Sequence, residues 1–305
     1  MTASSAFPFT ALATPQAMAP QWQQLLTGVE EACEILRGYW EQNRAGKLAP
    51  RIKSDGSPVS AADDASNDHL LAVLRTIAPE IPVVSEEEAL PQAGWSAPVY
   101  WLLDPLDGTR AFLRGEGEFV ISLGLVADGR AVAGVIAAPC WKREGSVIGW
   151  GVVGQGAWVR DASGKTEPLT ARNVAVQQLQ DDGVDLLVAT RGRTERIDAA
   201  LHPLRQRHRI ACSSALKFLR LAQGEADIYP RYGETQQWDT AGGEALLQAA
   251  GGEMYQIDGR PMHYGVDARR GWVNPGFVAA GNGGASALHA AGIRWLKEAE
   301  GQRNA

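Results

Sequence analysis

Between residues 21 and 40 the apolar positions Leu25, Val29, Cys33, Leu36 and Trp40 recur at helical spacing, which predicts an amphipathic helix. A polar, turn-prone stretch follows, Lys53-Ser54-Asp55-Gly56-Ser57-Pro58. Ser60 then suits the N-cap of a second helix with a buried stripe of Leu70, Leu71, Leu74 and Ile77, which Pro79 and Pro82 bring to an end. Short strands are predicted at residues 82–85 and 99–104.

The middle of the chain reads as antiparallel. Residues 118–127 and 131–138 flank Asp128-Gly129-Arg130, a hairpin signal, and residues 147–153 and 157–160 extend the sheet. Beyond residues 177–183 the pattern changes. Strands at 186–189, 209–212 and 227–229 alternate with helices, and a further helix is predicted at 238–250. The expected organisation is a flexible tail at residues 1–20, an α+β domain at 21–180 and an α/β domain at 181–305.

Composition changes this picture little: 305 residues, 45 % hydrophobic and 21 % charged, are ordinary globular values. The net charge of −6 leaves no basic footprint, so a nucleic-acid polymer is not the expected partner. Cys33, Cys140 and Cys212 are odd in number and widely spaced, which fits a reducing, cytoplasmic setting and neither a disulfide framework nor structural zinc. No apolar run reaches the length of a membrane span.

The candidate chemistry lies in the acids. In Trp101-Leu102-Leu103-Asp104-Pro105-Leu106-Asp107-Gly108-Thr109 an apolar strand delivers Asp104, and a turn brings back Asp107. Gly108 lets the backbone N–H groups approach an anion, and hard carboxylate oxygens on a tight turn suit magnesium. Ser85-Glu86-Glu87-Glu88 follows another short strand, Trp238-Asp239-Thr240 opens a helix, and Asp63 lies in the first turn of the second helix. Taken singly, each has an ordinary reading as a turn acid, a solvated charge run or a helix-dipole partner.

Taken in order, these segments, together with Lys53 through Asp63 and Trp238-Asp239-Thr240-Ala241-Gly242-Gly243, resemble the signatures of the inositol monophosphatase superfamily of magnesium-dependent phosphatases. Gly117-Glu118-Phe119, Ser213 through Phe218, Ile228 through Gly233 and Asn274-Pro275-Gly276-Phe277 are similar to its bisphosphate-nucleotidase branch. The resemblance implies a layered αβαβα sandwich with the active site between its halves. It implies two or three Mg2+ ions: Glu86, Asp104 and the Leu106 carbonyl on one, Asp104, Asp107 and Asp239 on a second. Asp63 and Thr109 would act on the attacking water, Gly108 and Thr109 N–H groups on the phosphate, and Ser214, Lys217 and Arg231 on a nucleotide bisphosphate.

The resemblance further implies a phosphoric monoester hydrolase linked to sulfur assimilation, with peripheral association at the inner membrane an expectation it adds. One departure stands out: Thr190-Arg191-Gly192-Arg193 places Arg193 where that branch has a histidine, which leaves adenine selectivity open. An inositol or other sugar monophosphatase is the alternative within the class. A metal-binding regulatory protein is the alternative outside it, although Asp63 and Thr109 would be superfluous in a pure binding site. Oligomeric state is left open.

Overall fold

The computed structural model of the protein describes residue 15 and residues 18–46, 51–52, 58–59, 61–141, 145–175, 177–189, 195–201 and 204–290. Most of the expected tail, the motif residues 53–57, Ser60 and the 190–193 segment lie outside the described residues. Helix α1 is Pro20–Arg44 and helix α2 is Ala61–Ile77, and they flank a small ribbon of β1 (Arg51–Ile52) and β2 (Pro58–Val59). The buried stripe of α2 runs Asp63, Ser66, Asn67, Leu70, Leu71, Leu74, so its first turns bury polar groups in phase with the leucines.

A seven-stranded sheet follows, with β3 (Val83–Ser85), β4 (Val99–Asp107), β5 (Val120–Ala127), β6 (Arg130–Ala138), β7 (Val147–Val152), β8 (Gly156–Arg160) and β9 (Thr166–Pro168) side by side in chain order. Only β3 and β4 are parallel. The predicted β5–β6 hairpin closes as expected, Ala127 opposite Arg130, with Asp128 and Gly129 at φ 48° and 73°. Where the sequence suggests a turn after Asp104, β4 instead continues through Asp107. Asp104 faces Ser122 and Asp107 faces Val120, so the strand carries one extra residue as a bulge at Pro105, which has no N–H to give to the ladder. The five-residue helix α3 (Thr109–Leu113) comes next.

The second half builds a mixed five-stranded sheet from β10 (Val184–Ala189), helix α4 (Glu195–Leu201), β11 (Gln206–Cys212), helix α5 (Leu216–Ala222), β12 (Ile228–Arg231), the short β13 (Thr235–Gln236), helix α6 (Ala241–Ala249), β14 (Glu253–Gln256), the short β15 (Val273–Asn274), β16 (Phe277–Ala280) and helix α7 (Gly284–Ala290). The sheet order is β11-β10-β12-β16-β14, while β13 and β15 pair separately.

Three apolar clusters order the layers. Leu25, Leu36, Leu70 and Leu74 of α1 and α2 pack against Trp101, Leu103, Leu123 and Val135 on one face of the large sheet. From its other face Leu102 and Ile136 join Phe218, Leu219 and Leu246 of α5 and α6, with Tyr229 and Phe277 of the second sheet. Beyond that sheet Leu186, Ile228 and Val278 meet Ile197, Leu201 and Leu288. The result is the α/β/α/β/α sandwich that the family resemblance implies.

Helix α6 lies unusually close to the large sheet. A Cβ on Gly134 would fall 2.1 Å from the Gly242 carbonyl oxygen, and one on Gly124 would fall 2.6 Å from the Gly242 nitrogen. The approach of backbone to backbone therefore needs glycine on both sides. It sets the Trp238-Asp239-Thr240 turn directly over β5. The helix itself begins at Ala241, later than the sequence pattern suggests, because the Asp239 carboxylate turns back to accept the Gln236 N–H at 2.9 Å.

Candidate functional site

Three elements from distant parts of the chain carry carboxylates to one point. Glu86 follows β3, Asp104 sits at the β4 bulge, and Asp239 precedes α6. Oxygen atoms of the three lie within 4.8 Å of one another. Asp104 is buried and accepts the Leu106 N–H at 3.0 Å, which fixes its orientation within the bulge. Burial pushes its carboxyl well above the usual range, and the nearby Glu86, Asp107 and Asp239 charges push it further. Asp239 is raised by burial first, then by Asp107 and Glu86. Hard oxygen donors held close and repelling one another fit divalent cations such as magnesium, whose charge would relieve that repulsion.

Asp107 stands beside this group rather than within it. One of its carboxylate oxygens accepts the Ala215 N–H, and its backbone carbonyl accepts the Ser214 hydroxyl at 3.0 Å. Burial raises its carboxyl to about 6, opposed by the Ala215 N–H and Lys217. The Thr109 hydroxyl lies 3.1 Å from Asp63 Oδ1 and 3.3 Å from the Leu106 carbonyl, so its one proton chooses between the two. Gly108, at φ 101°, has room only for hydrogen: a Cβ would meet Ser214 Oγ at 2.3 Å.

A cavity of about 140 Å3 opens beside Asp107 and Asp239, lined also by Ser214, Lys217, Tyr229, Arg231 and Thr235. Lys217 is buried. Its ammonium donates to the Cys212 and Ser214 carbonyls at 3.0 and 2.8 Å and lies 5.0 Å from the Tyr229 ring centroid. Burial lowers its pKa. Arg231 Nε and Thr235 Oγ1 are buried without a hydrogen-bond partner among the described residues. The expected substrate residues Ser214, Lys217 and Arg231 thus line one cavity, whereas Arg193 lies outside the described residues.

The structure also identifies supporting residues that sequence reasoning missed. The Ser66 hydroxyl donates to the Pro105 carbonyl at 2.9 Å and tethers the bulge to α2. Asn67 accepts from Ser85 Oγ at 2.7 Å and donates to Glu88 at 3.1 Å. Ser122 Oγ donates to the Trp238 carbonyl at 2.8 Å, and the Trp238 indole N–H donates to Glu86 at 3.2 Å. The usable signal for Ser66 and Asn67 was their phase with Leu70, Leu71 and Leu74. Ser122, inside an apolar run, offers no such signal.

Residues 22–298 match the family model described as the inositol monophosphatase family. The 3'(2'),5'-bisphosphate nucleotidase CysQ of Salmonella typhimurium is 36 % identical over 260 residues, covering 82 % of this chain and 98 % of its own. That of Buchnera aphidicola is 34 % identical over 268 residues, covering 85 % and 94 %. Among solved structures, CysQ from Bacteroides thetaiotaomicron superposes with a TM-score of 0.67 at 26 % identity, covering 85 % of this chain and 96 % of that one. An inositol monophosphatase from Thermotoga maritima shares the fold, with a TM-score of 0.69 at 19 % identity and coverages of 89 % and 96 %.

Proposed function

The chain belongs to the inositol monophosphatase family, and we propose that within it the protein is a magnesium-dependent 3'(2'),5'-bisphosphate nucleotidase, converting adenosine 3',5'-bisphosphate to AMP and phosphate. The observation that carries this reading is the cavity beside the acids. Lys217 and Arg231 bring two cationic side chains to its wall, and Arg231 Nε and Thr235 Oγ1 hold unused donors there. A substrate with a second phosphate would engage them, whereas an inositol monophosphate has nothing to place there.

Glu86, Asp104 and the Leu106 carbonyl would hold one magnesium ion, and Asp104, Asp107 and Asp239 a second. When bound, the ions would neutralise the phosphate and make water acidic enough to attack near neutral pH. The protein's own groups supply direction. Asp63, accepting the Thr109 proton, leaves the Thr109 oxygen lone pairs free to accept from the attacking water, so the pair orients it and draws off its proton. The Gly108 and Thr109 N–H groups, at the start of α3, would meet phosphate oxygens. Ser214, next to Gly108 on the lining of the same cavity, would reach the nucleotide from there.

The same reading takes residues 21–180 as the unit carrying most metal ligands and 181–305 as the unit carrying Asp239 and the substrate-selecting residues. It sets the activity in the cytoplasm, in sulfur assimilation. No helix among the described residues is long and apolar enough to cross a membrane.

A comparison of kcat/KM on adenosine 3',5'-bisphosphate and inositol 1-phosphate tests the substrate assignment, using the protein and Arg231→Ala. The bisphosphate should be preferred, and Arg231→Ala should reduce that preference mainly through KM. Equal or better use of inositol 1-phosphate by the unsubstituted protein would make it a sugar monophosphatase.

A further inference from the structure

We propose that the cavity between residues 95–100 and 260–270 is a second ligand site, for a small phosphorylated molecule carrying a planar ring. It measures about 650 Å3 and shares no lining residue with the smaller cavity beside Asp107 and Asp239. That volume lies in the range of small-molecule sites.

The charge of its wall runs against the charge of the chain. In a protein of net charge −6, three arginines and His263 line the cavity, with Asp267 its one acid. Arg260 is paired with Asp258. Asp267 is occupied differently: one carboxylate oxygen accepts the backbone N–H groups of Arg269 and Arg270, each at 2.8 Å. The turn therefore spends its acid on the backbone. Among the described residues neither the Arg269 nor the Arg270 guanidinium has a side-chain ion pair, and two such forks side by side suit phosphate oxygens.

The floor is aromatic. Trp95 and Tyr100 meet edge to face with centroids 5.1 Å apart. Tyr100 is only 2 % exposed, yet its hydroxyl has no hydrogen-bond partner among the described residues. A buried hydroxyl left unpaired is costly, and it calls for an acceptor from outside the chain. Gly265 stands over it: a Cβ there would come to 3.9 Å from the Tyr100 oxygen, an ordinary van der Waals contact. Guanidiniums at the rim and an aromatic floor with one spare donor select an anion with a flat body, such as a mononucleotide.

The wall is firmly held. The Gln237 side chain donates to the Gly265 carbonyl and accepts the Gly265 N–H, both at 2.8 Å, and His263 rests on the turn at Gly129, where a Cβ would meet its ring at 2.2 Å. Two hydrogen bonds thus fasten this loop to the segment that leads into Asp239.

The site does not depend on the nucleotidase reading, and its test avoids turnover. Isothermal titration of AMP into the full-length protein in EDTA removes the divalent ions on which the acidic site would rely to hold an anion. Binding should be saturable, should persist in Arg231→Ala, and should weaken about tenfold or more in the Arg269→Ala/Arg270→Ala variant, where a charged hydrogen-bond pair is lost from exposed side chains. Adenosine and inorganic phosphate should each bind more weakly than AMP. Absence of saturable binding in EDTA would overturn the proposal. So would loss of binding in Arg231→Ala with the double variant unaffected, or phosphate binding as tightly as AMP.

Discussion

The indole N–H of Trp238 donates to the Glu86 carboxylate at 3.2 Å, joining residues 152 positions apart in the chain. One acid of the candidate metal site is thereby aimed by the neighbour of another, Asp239. Trp238 is itself held through its carbonyl by Ser122 of β5. The two halves of the sandwich consequently meet in a single hydrogen-bonded chain at the acids.

Trp238→Phe keeps the ring and removes the donor. Outer hydrogen bonds to metal-ligating groups are typically worth about 10-fold or more in metal affinity, so the magnesium concentration for half-maximal phosphate release should rise by about that factor. A magnesium titration reads this directly. An unchanged half-saturation would mean that Glu86 does not need the indole.

Thr109→Ala removes the hydroxyl between Asp63 and the Leu106 carbonyl but no carboxylate. Turnover should fall by about 100-fold or more, the scale of a lost general acid–base relay, while the magnesium requirement stays the same. If magnesium affinity fell in step with kcat, Thr109 would belong to the metal-binding framework instead.

Below the acids lies a buried polar network. The Tyr264 hydroxyl donates to Glu244, and Asn274 donates to Thr240 Oγ1 at 2.7 Å. Burial raises the Glu244 carboxyl from 4.5 to about 7. Because the folded value exceeds the unfolded one, its contribution to stability is fully present below about 4.5 and is lost as pH rises through about 7. The total at stake is about 3 kcal/mol by linkage. Glu244→Gln should therefore gain on the unsubstituted protein in Tm as pH moves from 5.5 to 8. A difference in Tm that does not vary with pH would show that Glu244 does not titrate in this window.

Much of this was legible locally, because helices and strands announce themselves by period. α1, α2, the β5–β6 hairpin and the acids at strand ends all follow from neighbouring residues. Asp104 and Asp107 are readable as a pair because Pro105 and Gly108 punctuate them. What local pattern does not carry is contact made through the packed middle layer. Ser122 matters only because Gly124 and Gly134 let α6 settle on the sheet and bring the Trp238 carbonyl within reach. The short strands β13–β16 are likewise set by pairing partners far along the chain. Lys217, which the family resemblance puts on the substrate, is buried on α5 against two carbonyls and a ring, a setting that no neighbouring residue announces.

The proposed function requires the acids around Asp104 to drive magnesium-dependent removal of the 3'-phosphate from a nucleotide bisphosphate. Phosphorus NMR of the full-length protein with adenosine 3',5'-bisphosphate, before and after magnesium is added, tests it most directly. Without the ion the spectrum should not change; with it, inorganic phosphate and AMP should appear stoichiometrically, with the 5'-phosphate resonance retained. Loss of the 5'-phosphate instead, or an unchanged spectrum in saturating magnesium, would contradict it.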